Sequence, residues 1–139
     1  MGKTTATWSE GLSFDVELDG HHFQIDADEE FGGKDRGPKP KGLMLSALAG
    51  CTGMDVASLL TKMKMPFDTF AVEVSGQLAD AHPKVYTDIL VRYIFRGNEL
   101  DLDKIEKAVK LSLDKYCGVH ALLAKVTRIG HEIVLNPKP

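Results

Sequence analysis

Cysteine is scarce in this chain of 139 residues, which has only Cys51 and Cys117. Two cysteines so far apart make neither a disulfide scaffold nor a metal-ligand spacing, so free or redox-active thiols are expected. No block of like charge occurs. Lys and Arg number 17 against 20 Asp and Glu, a formal net charge of −3, which argues against a nucleic-acid or anionic-membrane partner. The opening MGKTTATWSEG has no apolar h-region, and the expected location is the cytoplasm. With no linker, internal repeat or low-complexity segment visible, one domain over residues 1–139 is expected.

What is present centres on the stretch from Pro40 to Lys64. Between Leu43 and Leu60 apolar and small residues point in every direction around a helix, the pattern of a helix covered on all sides. The run falls short of the roughly 20 apolar residues of a membrane span. Ser46, Thr52, Asp55 and Ser58 interrupt it, so a buried soluble helix is expected. Ser46, Ala47, Ala49, Gly50, Gly53 and Ala57 leave its backbone open to close approach, with Cys51 among them.

Ahead of this helix, residues 3–9, 12–18 and 21–27 alternate polar and apolar side chains around the turns Glu10-Gly11 and Asp19-Gly20, predicting three antiparallel strands. Residues 28–39, with Gly32-Gly33 and GPKP, read as a mobile loop able to mount binding residues. Beyond the helix, Met65-Pro66 stops it. Strands follow over 70–78 and 85–95, reversed at Asp80-Ala81-His82-Pro83. Asp101 is an N-cap for an amphipathic helix carrying Leu102, Ile105, Val109, Leu113 and Tyr116 on one face. A short helix from Val119 and a final strand over 128–135 complete the order βββ-α-ββ-αα-β, an α+β architecture.

Thiol chemistry belongs to the thiolate. Burial of Cys51 in an apolar helix raises its pKa unless a cation or donor stands near, whereas Cys117, just before a short helix, faces free N–H groups that favour a thiolate. His120, one turn on, is placed to assist. Asp55 shares the face of Cys51, four residues on, where it either orients a cation or makes a structural hydrogen bond. His21, His22, His82 and His131 lack metal-like spacing and read as surface or turn residues. From the residues alone both cysteines are also readable as small apolar packing groups.

The stretch GPKPKGLMLSALAGCTGMDV, with LDKYCGVHALL downstream and an HPKVYTDI strand between, resembles the OsmC/Ohr family of thiol-dependent peroxidases along the whole chain. The CTGMDV variant is similar to a less studied, OsmC-like branch. The resemblance implies an intertwined homodimer, with antiparallel sheets around the long cysteine helices and sites at the subunit interface. It also implies that Cys51 attacks a hydroperoxide to become a sulfenic acid, that Cys117 resolves it as a disulfide, and that an external dithiol reduces the product without metal or organic cofactor. The family's acidic residue ten positions before the first cysteine is replaced by Lys41, and no arginine precedes Arg36. Arg36 and Lys41 are the candidate substitute cations. Met44, Leu48 and Met54 are candidates to line an apolar substrate pocket, or plain core residues. Two further readings share the fold: a dimer binding a small hydrophobic ligand without turnover, and a thiol redox sensor.

Overall fold

The computed structural model describes Met1–Pro139 as two compact units, Met1–Met44 and Leu45–Pro139. In the first, β1 (Thr4–Glu10), β2 (Ser13–Leu18) and β3 (His21–Ile25) form an antiparallel sheet in the order β1-β2-β3. Asp19 and Gly20 take the positive φ angles that the turn between β2 and β3 requires. The following loop is pinned rather than mobile. The Asp26 carboxylate accepts hydrogen bonds from Ser13 Oγ at 2.7 Å and from the backbone N–H groups of Ala27, Lys34 and Arg36. At Gly33 and Gly37 a Cβ would overlap the carbonyls of Ala27 and Gln24, so only glycine lets the loop lie this close to β3.

The helix α1 (Pro40–Lys62) starts in the first unit and runs into the second. Pro40 is tolerated there because the first helical N–H has no intrahelical acceptor to lose. The second unit continues with β4 (Thr69–Leu78), β5 (Tyr86–Arg96), α2 (Leu102–Leu111), a π-helical turn (Ser112–Tyr116), α3 (Gly118–Leu123) and β6 (Arg128–Leu135). Asp101 caps α2 as expected, its carboxylate accepting from the Lys104 N–H. The sheet order is β4-β5-β6, and β6 lies parallel to β5, a pairing that needs the long helical crossover between them. This sheet is therefore mixed, where antiparallel strands were expected.

Alternation along β5 turns Ile89, Val91, Tyr93 and Phe95 inward, against Ile105, Ala108 and Val109 of α2 and Leu48, Val56 and Leu60 of α1 in one apolar cluster. Phe70 stacks on Phe95 with ring centroids 4.3 Å apart, and Phe67 meets both edge-on. Within the chain α1 is not covered all round. A single stripe at four-residue spacing, Leu48, Thr52, Val56 and Leu60, is buried, while Met54 on another face is 76% exposed. By length and composition α1 could span a bilayer, but its buried stripe makes it a core helix of this fold. Its apolar character all round exceeds what one chain covers.

Candidate functional site

Cys51 sits halfway along α1, and Asp55 follows one turn later on the same face. Opposite them the chain leaves α2 through the π-helical turn, in which the Cys117 N–H bonds the Ser112 carbonyl at 2.7 Å, five residues back. That wider turn ends on Cys117, which then caps α3, its Sγ accepting the His120 N–H at 3.3 Å. The result is a cluster. Cys51 Sγ, Cys117 Sγ and a carboxylate oxygen of Asp55 all lie within 4.8 Å of one another. The chain separation that gave no ligand spacing is closed by the packing of α1 against the α2–α3 connection.

Behind the cluster runs a line of buried hydroxyls. Ser112 Oγ donates to Asp55 Oδ2 at 2.9 Å, so at its 2.7 Å contact with Thr52 Oγ1 it must accept. Thr52 therefore donates to Ser112 and accepts from the Tyr93 hydroxyl at 2.8 Å. The order Tyr93, Thr52, Ser112, Asp55 is thus directional, with every proton pointing toward the carboxylate. Tyr93, Thr52 and Ser112 are fully buried, and such groups persist in a core when their hydrogen bonds are met. Burial pushes the Tyr93 phenol up to about 12 despite its bond to Thr52.

Cys51, expected to be buried, is half-buried, and Cys117 is buried at 3% exposure. Burial raises the Cys117 thiol to about 11; the His120 N–H opposes this, and the neighbouring Cys51 and Asp55 add to it. One N–H at the start of a short helix does not outweigh desolvation plus two acidic neighbours. His120 meets Cys117 through its backbone, while its Nδ1 is buried without a hydrogen-bond partner.

The other expected residues are dispersed. Arg36 pairs its guanidinium with Glu10 inside the first unit. Lys41 lies exposed in the first turn of α1, about 15 Å of helix before Cys51. Leu48 is wholly in the core, while Met44 is 46% and Met54 76% exposed, so the three share no common environment. His21, His22, His82 and His131 are exposed; His21, His22 and His131 lie within strands, and His22 pairs with Asp15. A hollow of about 560 Å³ over the second sheet, lined by Ser75, Gln77, Asp88 and Arg128 among others, contains no cysteine. Thr52, Ser112 and Tyr93 were missed by sequence reasoning. Their only signal was polarity at positions where the helical and strand periods place apolar groups.

The family model for OsmC-like proteins matches residues 32–132. The chain belongs to the OsmC-like family. It is 32% identical over 125 residues to Protein YhfA of Escherichia coli strain K12, covering 89% of this chain and 90% of that protein. Among solved structures, a hypothetical protein from Aquifex aeolicus has a TM-score of 0.83 at 25% identity, over 99% of this chain and 98% of that one. An organic hydroperoxide resistance protein OsmC from Legionella pneumophila has a TM-score of 0.72 at 14% identity, over 96% of each chain, and so shares the fold.

Proposed function

We propose that the chain is a thiol-dependent peroxidase of the cytoplasm, acting on organic hydroperoxides and, less selectively, on hydrogen peroxide. The observation that carries this reading is the approach of Cys51 and Cys117 Sγ within 4.8 Å, near enough for side-chain rotation to bring the sulfurs to bonding distance. Cys51, the more accessible thiol, is the attacker. Its thiolate displaces alkoxide from the O–O bond, giving a sulfenic acid, and the alkoxide takes a proton from solvent to leave as an alcohol. Cys117, held protonated by burial, then forms the S–S bond, its proton leaving with the sulfenic hydroxyl as water. Asp55 stands beside both sulfurs to carry that proton. An external dithiol reduces the disulfide and is itself oxidised to a disulfide, so the cycle balances without a bound cofactor.

A second copy of the chain would cover the outward faces of α1, including Met54, and a homodimer is part of this reading. In it Lys41 of one chain is a candidate cation for the thiolate of the other, and Arg36, leaving Glu10, is the second candidate. On that account Arg36→Ala slows peroxide turnover without removing the Cys51–Cys117 disulfide.

The test is consumption of cumene hydroperoxide and hydrogen peroxide with dithiothreitol or a dihydrolipoyl donor, in the presence of a chelator. Turnover lost in Cys51→Ser, with a Cys51–Cys117 disulfide in the oxidised wild type, supports the proposal. Absence of turnover with both peroxides overturns it.

A further inference from the structure

We propose that in the reduced protein Cys51, Asp55 and Cys117 form a binding site for a divalent, borderline-soft metal ion, with zinc the best match. The donor set is two sulfurs and one carboxylate oxygen, all within 4.8 Å of one another. Tetrahedral zinc has ligand bonds of about 2.0–2.3 Å, which put neighbouring ligand atoms roughly 3.3–3.8 Å apart. Closing the present cluster onto an ion therefore takes at most about 1.5 Å of side-chain movement, distributed over three residues.

The surroundings meet the second requirement of a metal site, that its ligands be held by other groups. Ser112 donates to Asp55 Oδ2 and is backed by Thr52 and Tyr93, leaving the other carboxylate oxygen for an ion. The His120 N–H is directed at Cys117 Sγ. The His120 ring stands outside the three-atom donor set and keeps a buried Nδ1 without a partner. Electrostatics points the same way. The two thiolates formed on binding, beside the Asp55 carboxylate, are a concentration of negative charge that only a cation held between them neutralises. Binding converts two thiols and Zn²⁺ into a zinc dithiolate with release of two protons, so no redox partner is required.

Three protein ligands leave a fourth position open, as in exchangeable rather than structural zinc sites. The consequence concerns the same sulfurs. A disulfide has no thiolate to offer, so metal and disulfide exclude each other: bound zinc holds the pair reduced, and oxidation releases it. This regulatory role rests on the peroxidase reading; the binding itself does not.

The test uses the full-length chain, reduced, metal-stripped and titrated with Co²⁺. One equivalent should produce a thiolate-to-cobalt charge-transfer band in the near ultraviolet, with the intense visible bands of tetrahedral cobalt, both lost on adding one equivalent of Zn²⁺. Ser112→Ala, which removes the donor behind Asp55 and the acceptor of Thr52 while keeping all three ligands, should weaken binding about 10–100-fold. Asp55→Asn, nearly isosteric and checked for fold by circular dichroism, should weaken it at least as much. No charge-transfer band at one equivalent, or unchanged affinity in Asp55→Asn, overturns the site. Peroxide turnover under chelation separates the two proposals. Turnover without a cobalt band leaves the peroxidase and removes the metal site, and a band without turnover does the reverse.

Discussion

Each unit of the molecule holds one carboxylate that accepts a buried serine hydroxyl, and the two are surrounded in opposite ways. Asp26 in the first unit receives one hydroxyl and three backbone N–H groups, which hold its carboxyl down at about 2 against an ordinary value near 3.8. Asp55 in the second receives the Ser112 hydroxyl and faces two thiols. Asp26 ties a loop to a sheet whose strand β1 is wholly exposed, so polar bonds do there what apolar packing does elsewhere. Asp55 borders an apolar core that needs no such tie. A carboxylate that has collected donors is a structural fastener; the one set against two thiols has a single hydroxyl to hold it.

The comparison can be broken most decisively at the thiols. Cys51→Ser should reduce peroxide turnover to background while leaving thermal unfolding nearly unchanged. Asp55→Asn should lower the pH midpoint of Cys117 alkylation from about 11, because one negative neighbour is gone while burial remains. If instead Asp55→Asn lowers Tm sharply and leaves thiol reactivity alone, Asp55 is a fastener like Asp26. The raised Cys117 pKa also carries a sign for stability. Its contribution is complete below the unfolded thiol value of about 8.5 and is lost as pH rises through about 11. Tm should fall over that window in the wild type and less in Cys117→Ser.

Thr52→Val interrupts the hydroxyl line and leaves the buried Tyr93 hydroxyl without its acceptor, which should lower stability by about 1–3 kcal/mol in denaturant unfolding. For Asp26 the sign is opposite to that of Cys117. Its depressed pKa stabilises the fold above about pH 4, and the benefit is lost as pH falls through about 2. Asp26→Asn should flatten the acid limb of the stability profile and reduce Tm at neutral pH. Smallest of all, Arg36→Ala should leave Tm nearly unchanged, since its ion pair with Glu10 is at the surface.

Much of the fold was readable because period and punctuation agree along this chain. The strand over Arg128–Leu135, the Asp101 cap and the end of α1 before Met65-Pro66 each follow from local chemistry. Other features are set by contacts distant in sequence. The parallel placement of β6 depends on where a helical crossover lands. The loop at 28–39 looks mobile from its Gly32-Gly33 pair and charged KDR, whereas Gly33 and Gly37 are there to permit close contact with backbone. The even apolar coat of α1 stated how much surface wants cover without stating that a single chain covers one stripe. At the site, the cysteines and Asp55 were visible as residue types. The Tyr93–Thr52–Ser112 line was not, since its members come from a strand, a helix and a turn, and each taken alone is an interruption in an apolar pattern.

The π-helical turn from Ser112 to Tyr116 gives this site a spare length of chain. It holds one residue more than an α-helical turn between the Ser112 carbonyl and the Cys117 N–H, so deleting one of residues 113–116 would let the same two groups bond in α-helical register and shorten the connection that presents Cys117 to Cys51. The extra residue is slack that the backbone spends on placing a sulfur.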